Sequence, residues 1–155
     1  AANCSNDNVK RAFLISCLTG LRFCDVKLLK WRNINGEVID LIQQKTKQRV
    51  LVKLNPDAKR LLGEVKSLGD LIFSLPTHNG ANKVLSGWVK RAGITKHITW
   101  HSARHTFGTN LVQLGADVMT TSKLLGHSSI RSTTRYVRIN DVLKTDAVNR
   151  FPRIF

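Results

Sequence analysis

Six side chains in this sequence could together attack, bind and protonate a phosphate, and their spacing decides whether they can meet. Tyr136 is the single tyrosine, in the run Thr133-Thr134-Arg135-Tyr136-Val137-Arg138. A phenol with a pKa of about 10 is a weak nucleophile at neutral pH. Surrounding cations, and an electrophile whose charge they neutralise, would make it competent. His101 and Arg104 stand three apart in His101-Ser102-Ala103-Arg104, so on a helix they project from one face. The guanidinium can grip two phosphate oxygens at once, and the imidazole can donate a hydrogen bond or move a proton. His105 follows at once, but it is expected to project elsewhere and reads as structural. His127 comes after Leu124-Leu125-Gly126, where a glycine stops one helix. A helix over 129–138 would let His127 and Tyr136 face one cleft. Arg22 follows Thr19-Gly20-Leu21, where backbone rather than solvent holds it, and Asp25 can orient it. Lys45, in Gln44-Lys45-Thr46-Lys47, stands at a hairpin tip from which an ammonium reaches a phosphate or a departing oxygen. Singly, each has a plain structural explanation: a half-buried aromatic, a polar helix face, a helix cap, a solvated lysine.

The elements that must position these groups are legible in the apolar spacing. Asp7 is expected to cap a helix carrying Val9, Phe13 and Cys17 on one face, with Gly20 at its end. A second helical stretch over 25–31 follows, and Asn35-Gly36 signals a turn. Segments 37–44 and 48–54 read as strands joined by the polar Lys45-Thr46-Lys47. Asn55-Pro56-Asp57 reads as a helix start: a cap, a proline at the first position and an acid in the first turn. Further helices are predicted over 82–92, 102–114 and 117–125, ended by Gly93, Gly115 and Gly126, and over 129–138 and 142–149. The fold class that follows is mainly α with one small antiparallel β-sheet near its start (α+β).

Composition narrows the partner. Lys plus Arg number 25 against 10 Asp plus Glu, a net charge of +15. A domain this basic repels itself unless an anion is near, and nucleic acid is the commonest such partner. No segment reads as a basic amphipathic helix with a broad apolar face, so a membrane surface fits less well. No apolar run approaches the roughly 20 residues that cross a bilayer. Cys4, Cys17 and Cys24 are odd in number and form no C-x-x-C pair, a pattern that suits a reducing cytosol. All three read as small buried hydrophobes. No carboxylate cluster is spaced to hold Mg²⁺, which disfavours a metal-dependent nuclease.

Taken in order, Arg22, Lys45, His101-x-x-Arg104, His127 and Tyr136 resemble the tyrosine recombinases, also called the phage integrase family. The matching blocks are Thr19-Gly20-Leu21-Arg22, His101-Ser102-Ala103-Arg104-His105-Thr106-Phe107, Leu124-Leu125-Gly126-His127 and the segment around Tyr136. They run almost end to end through the chain. The resemblance implies that family's catalytic domain over 1–155, with its separate N-terminal DNA-binding domain absent from this chain. It implies double-stranded DNA as partner and site-specific recombination (integration or excision) through a covalent 3′-phosphotyrosyl intermediate. Arg22 and Arg104 would clamp the scissile phosphate, while His101 and His127 support proton movement and phosphate binding. Lys45 would protonate the departing 5′ oxygen, ahead of Lys47 and Lys53, and Tyr136 would attack phosphorus. Asp25 stands where many members carry Glu. No cofactor is implied, because the phosphotyrosyl ester keeps the bond energy. The family also implies a tetramer on DNA during synapsis, accessory DNA-bending proteins and a cytoplasmic, nucleoid-associated setting, and its commonest members point to a bacterial mobile element. A type IB topoisomerase-like relaxation enzyme and a non-catalytic DNA-binding relic are the alternatives. The compact blocks weigh against the first, and the filled reactive positions against the second.

Overall fold

In the computed structural model, which describes residues 2–137, the core is laid down by the helix α1 (Asp7–Thr19). Asn6 caps it in place of Asp7, its Oδ1 accepting from Val9 N–H at 3.1 Å. Asp7 instead occupies the first turn, where a carboxylate complements the helix dipole. Gly20 ends α1 as expected, in the left-handed conformation (φ 70°), which a residue with a Cβ adopts only at a cost. Val9, Ala12, Ile15, Ser16 and Thr19 turn inward. They meet α5 (Trp100–Gln113), whose Trp100 donates its indole N–H to Ser16 Oγ at 3.0 Å. The Trp100 ring lies edge-on to Phe13 and Phe23, at centroid distances of 5.7 and 4.9 Å.

The helix predicted over 25–31 is shorter. It forms as α2 (Phe23–Lys27), followed by a 3-10 turn, Trp31–Asn33. The chain between them is drawn into pairing with a distant segment: Ile72 N–H donates to Leu29 O at 2.9 Å and Trp31 N–H to Asp70 O at 3.2 Å. That exchange buries Leu29 and Trp31, which a straight helix would separate. After a short strand β1 (Ile34–Asn35), the hairpin of β2 (Val38–Ile42) and β3 (Arg49–Lys53) completes an antiparallel sheet in the order β1-β2-β3. Ile39 faces Val52 and Leu41 faces Val50, so the alternation puts all four on the core side. Asp40 and Arg49 pair on the outer face, at 2.9 and 2.6 Å.

Asn55 caps α3 (Pro56–Leu62) as its motif predicts, accepting from Ala58 N–H at 2.8 Å. α4 (His78–Arg91) begins ahead of the expected 82 because Thr77 Oγ1 caps it from Gly80 N–H at 3.2 Å. α5 likewise starts earlier, at a Thr99–Ser102 capping box, and α6 (Val118–Leu125) is capped by Asp117 and closed by Gly126. The helix expected over 129–138 is broken into a 3-10 turn, Ile130–Ser132, and a four-residue α7 (Thr134–Val137). Thr133 sits at the break, fully buried, its hydroxyl 2.7 Å from His127 Nδ1. The helix expected over 142–149 lies outside the described residues. The three cysteines are free and half-buried rather than fully buried, and burial pushes the Cys17 thiol up to about 11. Among the described residues no helix is long and apolar enough to cross a membrane.

Trp100 joins α1, α2 and α5, so Trp100→Ala should cost about 3–5 kcal/mol in urea unfolding. A loss under about 1 kcal/mol would show that these helices are not joined through the indole.

Candidate active site

The chain just after α1, the starts of α2, α4 and α5 and the tip of the β2–β3 hairpin converge on a cavity of about 380 Å³. Arg22, Lys45, His101 and Arg104 all line it, with Phe23 and Trp100 in its wall. Four of the six expected side chains are thus brought together.

Arg104 is 3% exposed. Its Nη1 donates to Gly20 O at 2.7 Å and its Nη2 to Leu125 O at 2.6 Å. Both carbonyls lie at helix C-termini, where the ladder leaves oxygens without amide partners and the dipole is negative. These acceptors compensate a cation that burial would otherwise expel. Burial first, then the like charge of Arg22, lower the Arg104 pKa to about 10, while Tyr136 and Asp25 act the other way. At neutral pH the group stays a cation.

Arg22 occupies the N-cap position of α2, half-buried, and its Nη1 donates to Gln43 Oε1. Asp25 was expected to orient it but does something else. Its Oδ1 accepts from Gln44 N–H at 2.8 Å, while its Oδ2 is buried with no hydrogen-bond partner among the described residues. The buried carboxylate therefore ties down the root of the hairpin that carries Lys45. The turn itself closes through Gln43 N–H to Gln48 O at 2.9 Å and Lys47 N–H to Gln43 O at 3.0 Å. Lys45 is exposed on this turn, over the cavity. Lys53 instead lies 4.0 Å from Glu37.

The other two candidates sit elsewhere. Tyr136 is 4% exposed and packs with Val112, Leu125 and Phe107 in a small second apolar cluster. Its ring lies over Gly108, where a Cβ would stand 2.7 Å from Tyr136 Cζ. His127 lines a separate hollow of about 340 Å³ beside Lys123 and Gln48. His105 does not project away from the site, as its place next to Arg104 suggested. Its Nδ1 is 3.1 Å from Tyr136 Oη, and its ring lies edge-on to that of His101 at 4.3 Å. The reason is helical: i and i+4 are surface neighbours, so His101 and His105 share a face.

Sequence reasoning missed two contributors, His105 and Gln43. A signal for Gln43 was available, since it continues the inward register of Ile39 and Leu41 where an apolar residue is expected. Among the described residues no group of three His, Cys, Asp or Glu side chains is placed to hold a metal ion.

Comparison with known proteins gives a family match over residues 2–142, to the phage integrase family. The chain is 35% identical over 115 residues to the tyrosine recombinase XerC of Bacillus subtilis (strain 168), a match covering 70% of this chain and 38% of that protein. The chain thus spans well under two thirds of that relative's length. Its fold is similar to the catalytic domain of bacteriophage HP1 integrase, with a TM-score of 0.72 at 24% identity over 97% of this chain and 86% of that one. It is also similar to the XerH site-specific recombinase bound to a palindromic difH substrate, with a TM-score of 0.73 at 21% identity, covering 93% of this chain and 46% of that one.

Because the chain has one tyrosine, its seat can be probed directly. Tetranitromethane should nitrate Tyr136 slowly in the native protein, and Gly108→Ala, by expelling the ring, should raise the rate about tenfold or more. Equal rates in the two proteins would show that the ring is not seated on α5.

Proposed function

The chain belongs to the phage integrase family, and we propose on that premise that it carries out site-specific recombination of double-stranded DNA through a covalent bond between Tyr136 and a 3′ phosphate. The observation that carries this reading is the cavity holding Arg22 and Arg104 with Lys45 and His101 at its edge. Both arginines are held by neutral acceptors, so their charge is unspent and available to an anion. A cavity built this way suits one phosphodiester, whose nonbridging oxygens gain charge in the transition state, and fixed donors stabilise it without reorganising. The net charge of +15 supports a polyanionic partner, as does the structural likeness to XerH in its difH complex.

In this mechanism the Tyr136 oxygen attacks phosphorus as its phenol proton passes to the His127 imidazole, and the bond to the 5′ oxygen breaks as Lys45 delivers a proton to it. Arg22 and Arg104 grip the nonbridging oxygens. His101, exposed on the first turn of α5, donates to the phosphate. His127 supports the phosphate from the α6 side and returns the proton to the Tyr136 oxygen when the step is reversed. A 5′-hydroxyl from another strand reverses the step and rejoins DNA. Because Tyr136 is packed on α5 with its hydroxyl at His105, the attack includes a movement of α7 away from that seat. Synapsis of four copies on two duplexes, and accessory DNA-bending proteins, belong to the same reading.

On a nicked suicide duplex bearing the site the protein selects from a random pool, wild type should form an adduct that survives denaturation. Tyr136→Phe should bind the duplex and form none; an adduct in that variant would place the nucleophile elsewhere. Arg104→Lys, which loses the bidentate fork and both carbonyl anchors, should slow adduct formation roughly a hundred- to thousandfold, or about 3–4 kcal/mol. A rate within about threefold of wild type would remove Arg104 from the clamp. Relaxation of a supercoiled plasmid without exchange between two sites would replace recombination by a topoisomerase activity.

A further inference from the structure

Next to the arginines lies a buried amide that the proposed reaction does not use. Gln43 is 1% exposed, at the inward register position after Ile39 and Leu41. Its Oε1 accepts from Arg22 Nη1 and from Thr46 Oγ1, the latter at 2.8 Å. Its Nε2 donates to Leu125 O at 3.0 Å. The partners fix which way the amide faces, because a guanidinium only donates and a carbonyl only accepts. Leu125 O also takes the 2.6 Å bond from Arg104 Nη2. A single carbonyl therefore links the Arg104 fork to the amide that holds Arg22.

We propose that Gln43 is a positioning residue: it fixes the Arg22 guanidinium through a neutral acceptor and, through the shared Leu125 carbonyl, sets its separation from Arg104. The proposal rests on the reading of this cavity as a phosphate site. Two like charges facing one cavity push each other apart: after burial, the like charge of Arg22 is the second cause that lowers the Arg104 pKa. A carboxylate in place of the amide would hold Arg22 more tightly, but it would cancel the charge a phosphate needs. An apolar side chain would fill the space and leave Arg22 free to swing. Of these, the amide alone meets both requirements.

The backbone opposite Gln43 gives independent support. Gly126, at φ 62°, faces the amide so closely that a Cβ there would stand 2.6 Å from Gln43 Oε1 and 2.7 Å from Val50 Cγ1. The glycine before His127 is thus needed twice, to end α6 and to admit the amide. On the hairpin side, Thr46 bonds to Gln43 while Asp25 holds Gln44 N–H, so the two neighbours of Lys45 are both anchored. Arg22 and the root of the lysine-bearing turn meet at this one side chain, and Arg104 is joined to it through Leu125 O.

The test uses Gln43→Met, which removes both polar ends at nearly constant volume, and Gln43→Glu, which keeps an acceptor but adds a charge. Single-turnover adduct formation at saturating nicked duplex is measured for wild type, Gln43→Met, Arg22→Ala and the double variant. Gln43→Met should be slowed about a hundredfold, the scale of a misplaced catalytic group, with duplex affinity changed less than about threefold. If Gln43 acts through Arg22, the double variant is no slower than Arg22→Ala alone. Losses that multiply, or a wild-type rate in Gln43→Met, would overturn the proposal. Inorganic phosphate titrated against each folded protein tests the same coupling without cleavage. Its affinity should fall together in Arg22→Ala, Gln43→Met and Gln43→Glu, and undiminished affinity in both Gln43 variants would overturn the neutral-anchor role. A wild type that binds phosphate but forms no adduct would sink the recombinase reading while the phosphate series still decides the role of Gln43.

Discussion

Holding two guanidinium groups together inside a protein without neutralising either is the constraint that shapes this molecule. A buried cation is stable only where acceptors replace its water, and an ion pair would remove the charge that binds an anion. The protein meets this with neutral oxygens: Gly20 O and Leu125 O for Arg104, and the Gln43 amide for Arg22. Asp25, the buried carboxylate nearest the pair in sequence, has its hydrogen-bonded oxygen turned to a backbone amide of the hairpin.

Much of the architecture follows from supplying those oxygens. Carbonyls with no amide partner occur where helices end, so α1 and α6 must both terminate at one side chain of α5. Glycines complete both terminations. Gly20 adopts the left-handed turn, and Gly126 does so while leaving room for Gln43. The sheet turns Ile39, Leu41 and Val50 into the core, and its hairpin root is fastened by Gln43 and Gln44, which brings the Lys45 turn over the cavity. Removing the backbone of any one of these junctions would leave a buried donor or acceptor unmet, which is more costly than losing an exposed bond.

Tyr136 belongs to a different layer of the structure. It is carried on a four-residue helix and seated by a small apolar cluster apart from the main core. Such a short element has little stability of its own, so its position is set by what the ring packs on. His105 and Gly108, one turn apart on α5, supply the polar and the close-packed halves of that seat. The same helix therefore presents Arg104 to the cavity and holds the tyrosine aside from it.

The sequence by itself determined the motifs, their order and most helix boundaries. Asn55-Pro56, Asp117 and the stopping glycines act within a few residues, so local chemistry suffices to read them. It also marked Arg22, Lys45, His101, Arg104, His127 and Tyr136 as one set, of which the fold gathers the first four on one cavity. Tertiary structure decided the rest. Pairing of Leu29 and Trp31 with residues far along the chain cut short the predicted second helix. A buried threonine broke the helix before Tyr136, and packing on α5 turned that ring toward His105. Gln43 gained its place from contacts with Arg22 and Leu125, which lie on other elements. Local patterns fix where an element begins and which face is apolar, whereas the partner of a buried polar group is fixed only when distant segments compete for the same donors and acceptors.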